Sequence, residues 1–358
     1  MMRPSALMAL AAFVIVIAGV RAAQVIMVPF LLAVFIAIIS APLLLLLEKL
    51  GMPRILSFLI VLAGVVGIMM GVGIIVGNSM NGFLSSLPEI QRKLSFVVND
   101  GIMWLKEMGV PIDMSAPPQG FDPSSAITTA GAFLRSMSQI LSNSFLIFLM
   151  VTFMLFETVS MRAKVGFFAQ KNPENLHIAE TFIQNLKRYL AIKTMASFVT
   201  GVLIGAALSV MGVKYALLWG LLAFLLNYIP TIGSILAAIP AVLVTLVELD
   251  VGAALWVLSV FVVVNIAIGN FIEPRFLGRG LGISTLVVVM SLLFWGWVLG
   301  PAGMFLAVPL TMSVKIALDA NPRTRWIAMI LSDYRGETAA SKAEESSVIP
   351  LKKLKNDA

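Results

Sequence analysis

Residues 215–247 read YALLWGLLAFLLNYIPTIGSILAAIPAVLVTLV and contain no Asp, Glu, Lys, Arg or His. The run is longer than the roughly 20 residues that one helix needs to cross a hydrocarbon core about 30 Å thick. It is interrupted near its middle by Asn227-Tyr228-Ile229-Pro230-Thr231-Ile232-Gly233-Ser234. Proline removes an amide donor and clashes with the preceding turn, and glycine permits a reversal. The pattern therefore predicts two short helices folded back on each other, each about 24 Å long. A second uncharged run, 280–314, is built the same way and breaks at Gly296-Trp297-Val298-Leu299-Gly300-Pro301-Ala302-Gly303.

Outward from these two runs the chain stays apolar. Residues 4–20, 22–47, 55–88, 136–156, 194–213 and 251–272 also lack every charged residue type and histidine. The chain is 59% hydrophobic and 12% charged, against about 25% charged in a soluble domain. A soluble fold is excluded by the length and recurrence of these runs. Arg3 followed by 4–20 has the form of a signal peptide, but 22–47 follows directly, so the two read as a helical hairpin turning near Arg21. The expected fold is an all-α polytopic membrane protein. It has about six spanning helices plus two Pro/Gly-broken helical hairpins, or 8–10 hydrophobic helices, and an amphipathic helical arm outside the bilayer.

Placing the N-terminus in the cytoplasm puts 19 of the 25 Lys and Arg on the cytoplasmic side, with Arg21, Arg92, Lys93, Lys106, Arg135 and Lys214 outside. Helix flanks and short loops follow the positive-inside rule in this arrangement. The net charge of +7 is then an orientation device facing anionic lipid, and nucleic acid is not an expected partner. The first hairpin enters from outside and the second from inside. Both termini are cytoplasmic and the membrane is the bacterial inner membrane. Four regions follow: transmembrane helices 1–78, an extracytoplasmic amphipathic region 79–138, a transmembrane core 139–335 with a cytoplasmic segment 159–192, and a polar tail 336–358.

In the arm, Leu87-Pro88-Glu89 starts a helix whose apolar stripe is Ile90, Leu94, Val97, Val98, Ile102 and Leu105, to be covered by the bilayer surface or by other subunits. Gly109 to Pro123 reads as a loop, and Ser124-Ser125 as the start of another helix. Pro173-Glu174 opens a helix carrying Lys187, Arg188 and Lys193 towards the membrane. Gly67/Gly71, Gly73/Gly77 and Gly201/Gly205 have the four-residue spacing that lets helices approach closely.

No cysteine is present and His177 is the only histidine. Thiol chemistry is excluded, and no metal site, cofactor or catalytic constellation is expected. Gly278-Arg279-Gly280-Leu281-Gly282 follows no strand and precedes no Lys-Ser or Lys-Thr, so it is not a phosphate loop. The groups that could meet a solute are polar residues inside apolar helices: Asn227, Tyr228, Thr231, Ser234, Asn265 and Asn270, with backbone freed at Pro230, Gly233, Gly300 and Pro301. Glu273 and Arg275 flank Pro274, which ends the helix. They form either an interfacial salt bridge or part of a solute path. Opposed broken helices meeting near the midplane are a recurring layout for transporter sites; ordinary turns are the alternative.

The residues also resemble a known family. Gly220-Leu221-Leu222-Ala223-Phe224-Leu225-Leu226-Asn227-Tyr228-Ile229-Pro230 with Gly233-Ser234, then Gly269-Asn270 with Glu273-Pro274-Arg275, then Gly278 to Ser284, look like the signature of the autoinducer-2 exporter family. Phe294 to Met304 and Val308-Pro309-Leu310-Thr311 continue it, and the resemblance runs from Val28-Pro29-Phe30 to Lys315. It implies export of autoinducer-2, a small polyhydroxylated furanone, by a homo-oligomeric, pentameric assembly. It also admits a Na+(Li+)/H+ antiporter using Glu273, since relatives of that kind resemble the same pattern; a membrane scaffold is a third reading. A neutral polyol suits hydroxyl and amide groups. An antiporter needs a membrane-embedded carboxylate, and Glu157, Glu248, Asp250 and Glu273 all read as lying at helix ends.

Overall fold

The computed structural model describes residues 4–108, 144–169, 173–277, 283–321 and 323–332. The loop from Gly109, the helix from Ser124-Ser125 and the polar tail lie outside the described residues. Among those described, every element is helical: α1 (Pro4–Ala22), α2 (Gln24–Lys49), α3 (Arg54–Glu107), α4 (Ser144–Ala169), α5 (Pro173–Val210), α6 (Ala216–Leu226), α7 (Ile232–Glu248) and α8 (Val251–Asn265) come first. A π-helix (Ile266–Ile272) joins α8 to α9 (Glu273–Leu277), followed by α10 (Thr285–Asp319) and α11 (Arg325–Leu331). The stretches Gln24–Lys49, Arg54–Phe83, Ile183–Val210, Val251–Phe276 and Thr285–Asp319 are long and apolar enough to cross a membrane. Ile55, Ile68, Phe153, Val210 and Trp256 are exposed large apolar side chains, as lipid-facing positions require. The chain is an all-α polytopic membrane protein.

Both broken runs fold back. In the first, α6 and α7 are joined by 227–231, and Thr231 adopts φ 64° and ψ −54°. A methyl at Gly233 would overlap the Leu226 carbonyl oxygen across the turn. Lys214, ahead of α6, bonds Glu248 at the end of α7 at 2.7 Å and closes the hairpin's base. That carboxylate raises the Lys214 pKa above its ordinary value, by hydrogen bond first and by charge second. In the second, α10 bends at Gly300, with φ 67° and ψ −154°. The Trp295 indole N–H donates to Thr311 Oγ1 at 3.0 Å. In a straight helix those residues would stand about 24 Å apart, so α10 is a hairpin with its tip at Gly300-Pro301.

Two expectations change. The arm does not begin a new helix at Leu87: α3 runs unbroken from Arg54 through Pro88 to Glu107, about 81 Å at 1.5 Å per residue. The start of its stripe is covered within the chain, since Ile90 and Leu94 are buried in the same cluster as Phe83, Leu218, Trp219 and Val244. The aromatic contact Phe83–Trp219, 5.3 Å between centroids, seats the arm on the first hairpin. Pro274 does not end its helix either, because α9 carries the chain on to Leu277. The proline ring clashes with the carbonyl four residues earlier, and the wider π turn immediately ahead accommodates it.

The four-residue glycine pairs divide. At Gly67, Gly71, Gly73 and Gly77 a methyl would meet nothing within 4 Å. On α5, a methyl at Gly201 would lie 2.7 Å from both the Gly220 carbonyl oxygen and Phe224 Cβ, and one at Gly220 would lie 2.8 Å from Gly205 Cα. Gly201→Ala is expected to lower stability by about 1–3 kcal/mol, as overpacking does, whereas Gly67→Ala leaves it unchanged. Thermal loss of monodisperse protein in detergent measures this; equal losses for both variants would contradict the backbone contact.

Candidate functional site

The glycine contact decides where the first hairpin's tip lands. On α5, Lys193, Ser197, Gly201 and Gly205 recur every four residues and therefore share one face. With α6 pressed on Gly201 and Gly205, the residues following α6 reach the next positions along that face. Asn227 Nδ2 donates to Ser197 Oγ at 3.0 Å. Tyr228 Oη donates to Thr194 Oγ1 at 2.8 Å, and Thr194 Oγ1 donates to the Leu190 carbonyl at 2.6 Å. Both tip side chains thus have partners, as polar groups in hydrocarbon require.

Tyr228 is also the centre of an aromatic cluster. Its ring lies 5.5 Å from Phe35 of α2, 5.9 Å from Phe224 and 4.4 Å from Phe305 of the second hairpin. Phe35 sits about 16 Å along α2 from Gln24 and about 21 Å from Lys49. The first tip therefore ends at mid-depth. The second tip goes further: Gly300 lies against the Gln24 side chain, where a methyl would stand 3.0 Å from Nε2. The hairpins meet, but the first tip packs on the flank of the second and not on its tip.

One turn beyond the tip contacts, Lys193 Nζ bonds both Glu273 carboxylate oxygens at 2.9 Å. The two side chains are only 5% and 14% exposed, so the ion pair is buried within the protein. The partner of Glu273 is thus Lys193 and not Arg275, which is exposed. A carboxylate buried to this extent is tolerable because the ammonium neutralises it. Arg188 Nη2 adds a 3.2 Å bond to the Phe276 carbonyl, so α9 is tied to α5 twice.

Thr231, Ser234 and Asn265 line a cavity of about 530 Å3 between α7 and α8. Its remaining walls are aliphatic apart from Phe261. Ser234 Oγ donates to the Thr231 carbonyl, and Asn265 Nδ2 to the Phe261 carbonyl at 2.7 Å. The Asn265 amide oxygen remains an acceptor after that bond. Thr231 is β-branched at positive φ, a conformation found where surrounding structure imposes it. Asn270 is exposed on the π-helix. The residues that a reading of motifs misses are Lys193, Thr194 and Ser197. Their signal was the continuation of the Gly201/Gly205 stripe by one and two further turns. Among the described residues, no group of three or more metal-ligating side chains occurs.

Lys193→Met alone leaves a buried unpaired carboxylate and is expected to destabilise by about 3–5 kcal/mol, whereas Lys193→Met combined with Glu273→Gln recovers most of the loss. A thermal or denaturant double-mutant cycle measures this, and additive losses would show that the two residues do not act as a pair.

Comparison with known proteins agrees with this architecture. Residues 10–323 match the model of the AI-2E family transporter. The chain is 39% identical over 324 residues to the "AI-2 transport protein TqsA" of Escherichia coli (strain K12), covering 90% of this chain and 94% of that one. It is 40% identical over 336 residues to a "Putative transport protein" of Haemophilus influenzae, covering 91% and 96%. It is 36% identical over 335 residues to the "Putative transport protein YhhT" of Escherichia coli (strain K12), covering 92% and 94%. With its helices, its two folded hairpins and nearly its whole length accounted for, the chain belongs to the AI-2E family of membrane transporters.

Proposed function

We propose that this protein is a secondary transporter of the bacterial inner membrane that exports autoinducer-2 or a similar small polar solute. The observation that carries the reading is the first hairpin's tip. There, strained backbone at Thr231 lies beside a helix break at mid-depth, and Thr231, Ser234 and Asn265 line one otherwise apolar cavity. A small neutral polyol is held by hydroxyl, amide and backbone groups and requires no fixed charge. The name and 39% identity of the Escherichia coli relative support autoinducer-2 as the solute.

In this reading the site residues have different tasks. Thr231, Ser234 and Asn265 bind solute at the polar end of the cavity, and Asn270 extends the path along the π-helix. Asn227 and Tyr228 hold the tip on α5, and Pro230 and Gly233 shape it. Gly300 and Pro301 form the turn of the opposed hairpin. Glu273 acts through Lys193 as a positioning residue, with Arg275 beside it at the membrane surface. Both termini face the cytoplasm, as the distribution of Lys and Arg favours. The protein works as a homo-oligomer of five subunits, with the region 79–138 on the outer side.

Liposomes containing only this protein, loaded with autoinducer-2, test the proposal. Saturable efflux is expected, and Asn265→Ala together with Ser234→Ala should reduce it at least about tenfold while leaving folded protein, since two lost polar contacts correspond to ~1.4 kcal/mol or more. Sodium-dependent proton movement without autoinducer-2 efflux would overturn the proposal.

A further inference from the structure

We propose that the groove between α1 and the second hairpin is a binding site for one anionic phospholipid. Its phosphate sits at Arg21 and one acyl chain lies between the helices. The groove encloses about 470 Å3 and is lined by Phe13, Ile17, Ala18, Phe294 and Trp297, with Arg21 as its single charged residue. From Phe13 to Arg21 it extends about 12 Å along α1. The Arg21 guanidinium lies over the Trp297 ring, 4.4 Å from its centroid. Among the described residues no carboxylate forms an ion pair with Arg21. Gln24, at the start of α2, brings a side-chain amide to the same end against Gly300.

Charge complementarity selects the occupant. A cation stacked on tryptophan at the end of a membrane helix keeps its in-plane N–H donors available, and those donors match a phosphodiester. The walls below it are apolar and face lipid. A solute that was polar throughout would leave them unfilled, and a zwitterionic lipid would bring a cation to the guanidinium together with its phosphate. A molecule apolar along its length and anionic at one end satisfies both. The position is informative as well, because the groove adjoins the Gly300-Pro301 tip. Lipid seated there would brace that tip against the α1–α2 turn.

Native mass spectrometry of the purified full chain tests this, with dioleoyl phosphatidylglycerol or dioleoyl phosphatidylcholine added to the detergent. The wild type should retain one more phosphatidylglycerol per chain than Arg21→Gln does, with an apparent preference over phosphatidylcholine about fivefold larger. Arg21→Lys should keep most of that preference. Ala18→Trp, which fills the groove, should lose the same lipid while Arg21 remains. A phosphatidylglycerol count and preference unchanged in both Arg21→Gln and Ala18→Trp would overturn the proposal. So would an Ala18→Trp protein whose lipid count is unchanged but whose subunit number falls, which would assign the groove to a second copy of the chain.

Discussion

The close approach of α5 to α6 is the contact on which the rest of the core depends. Gly201, Gly205 and Gly220 bring backbone onto backbone, and at Gly201 and Gly220 even a methyl group would collide. Apolar side chains give little driving force for helix association in lipid, because the surrounding tails are equally apolar. Close packing and polar contacts must supply it, and this face of α5 supplies both. The glycines set the distance and the register. Ser197 and Thr194 then receive Asn227 and Tyr228, and Lys193 receives Glu273. Moving α6 by one turn would separate Asn227 from Ser197 and Tyr228 from Thr194.

The bilayer also explains where the helices break. Backbone groups freed from a helix in hydrocarbon are tolerated only when protein or a polar cavity surrounds them. The first tip, 227–231, is enclosed by α5 on one side and by Phe35, Phe224 and Phe305 on the other. The second is pinned across its turn by the Trp295–Thr311 bond. The hairpins differ in reach: one ends at mid-depth and the other extends as far as the start of α2. The two unequal hairpins both pack against α2, through Phe35 and Gln24, and the first also against α5.

The buried ion pair has a comparable structural logic. Neither Lys193 nor Glu273 would be stable buried alone, and each is the condition for the other. Together they fasten the segment after the π-helix to α5, and Arg188 reinforces the attachment at the Phe276 carbonyl. The π turn lets the chain pass Pro274 without losing its helical course. Asn265, immediately before that π-helix, and Asn270, within it, are therefore carried by an irregular segment whose far end is anchored to α5.

Much of this was legible in the amino-acid order. The uncharged runs determine that the chain spans membranes, because hydrocarbon thickness sets helix length. Asn227-Tyr228-Ile229-Pro230-Thr231-Ile232-Gly233-Ser234 and the stretch around Gly300-Pro301 determine that two runs reverse, because proline and glycine act on local backbone. The same residues carry the family resemblance. Local signals misled where packing prevailed. Pro88 and Pro274 read as helix boundaries, yet α3 and the α8–α9 segment pass through them, because a proline's local disruption is outweighed when neighbours hold the helix on both sides. Only the tertiary structure decided which groups meet. Lys193 reads as one more basic flank and Glu273 as a helix end, and their sequence separation of 80 residues hides the pair. Composition and periodicity report what each helix requires of its surroundings. The identity of the partner depends on the distance and register between helices, and here the α5–α6 glycine contact sets both.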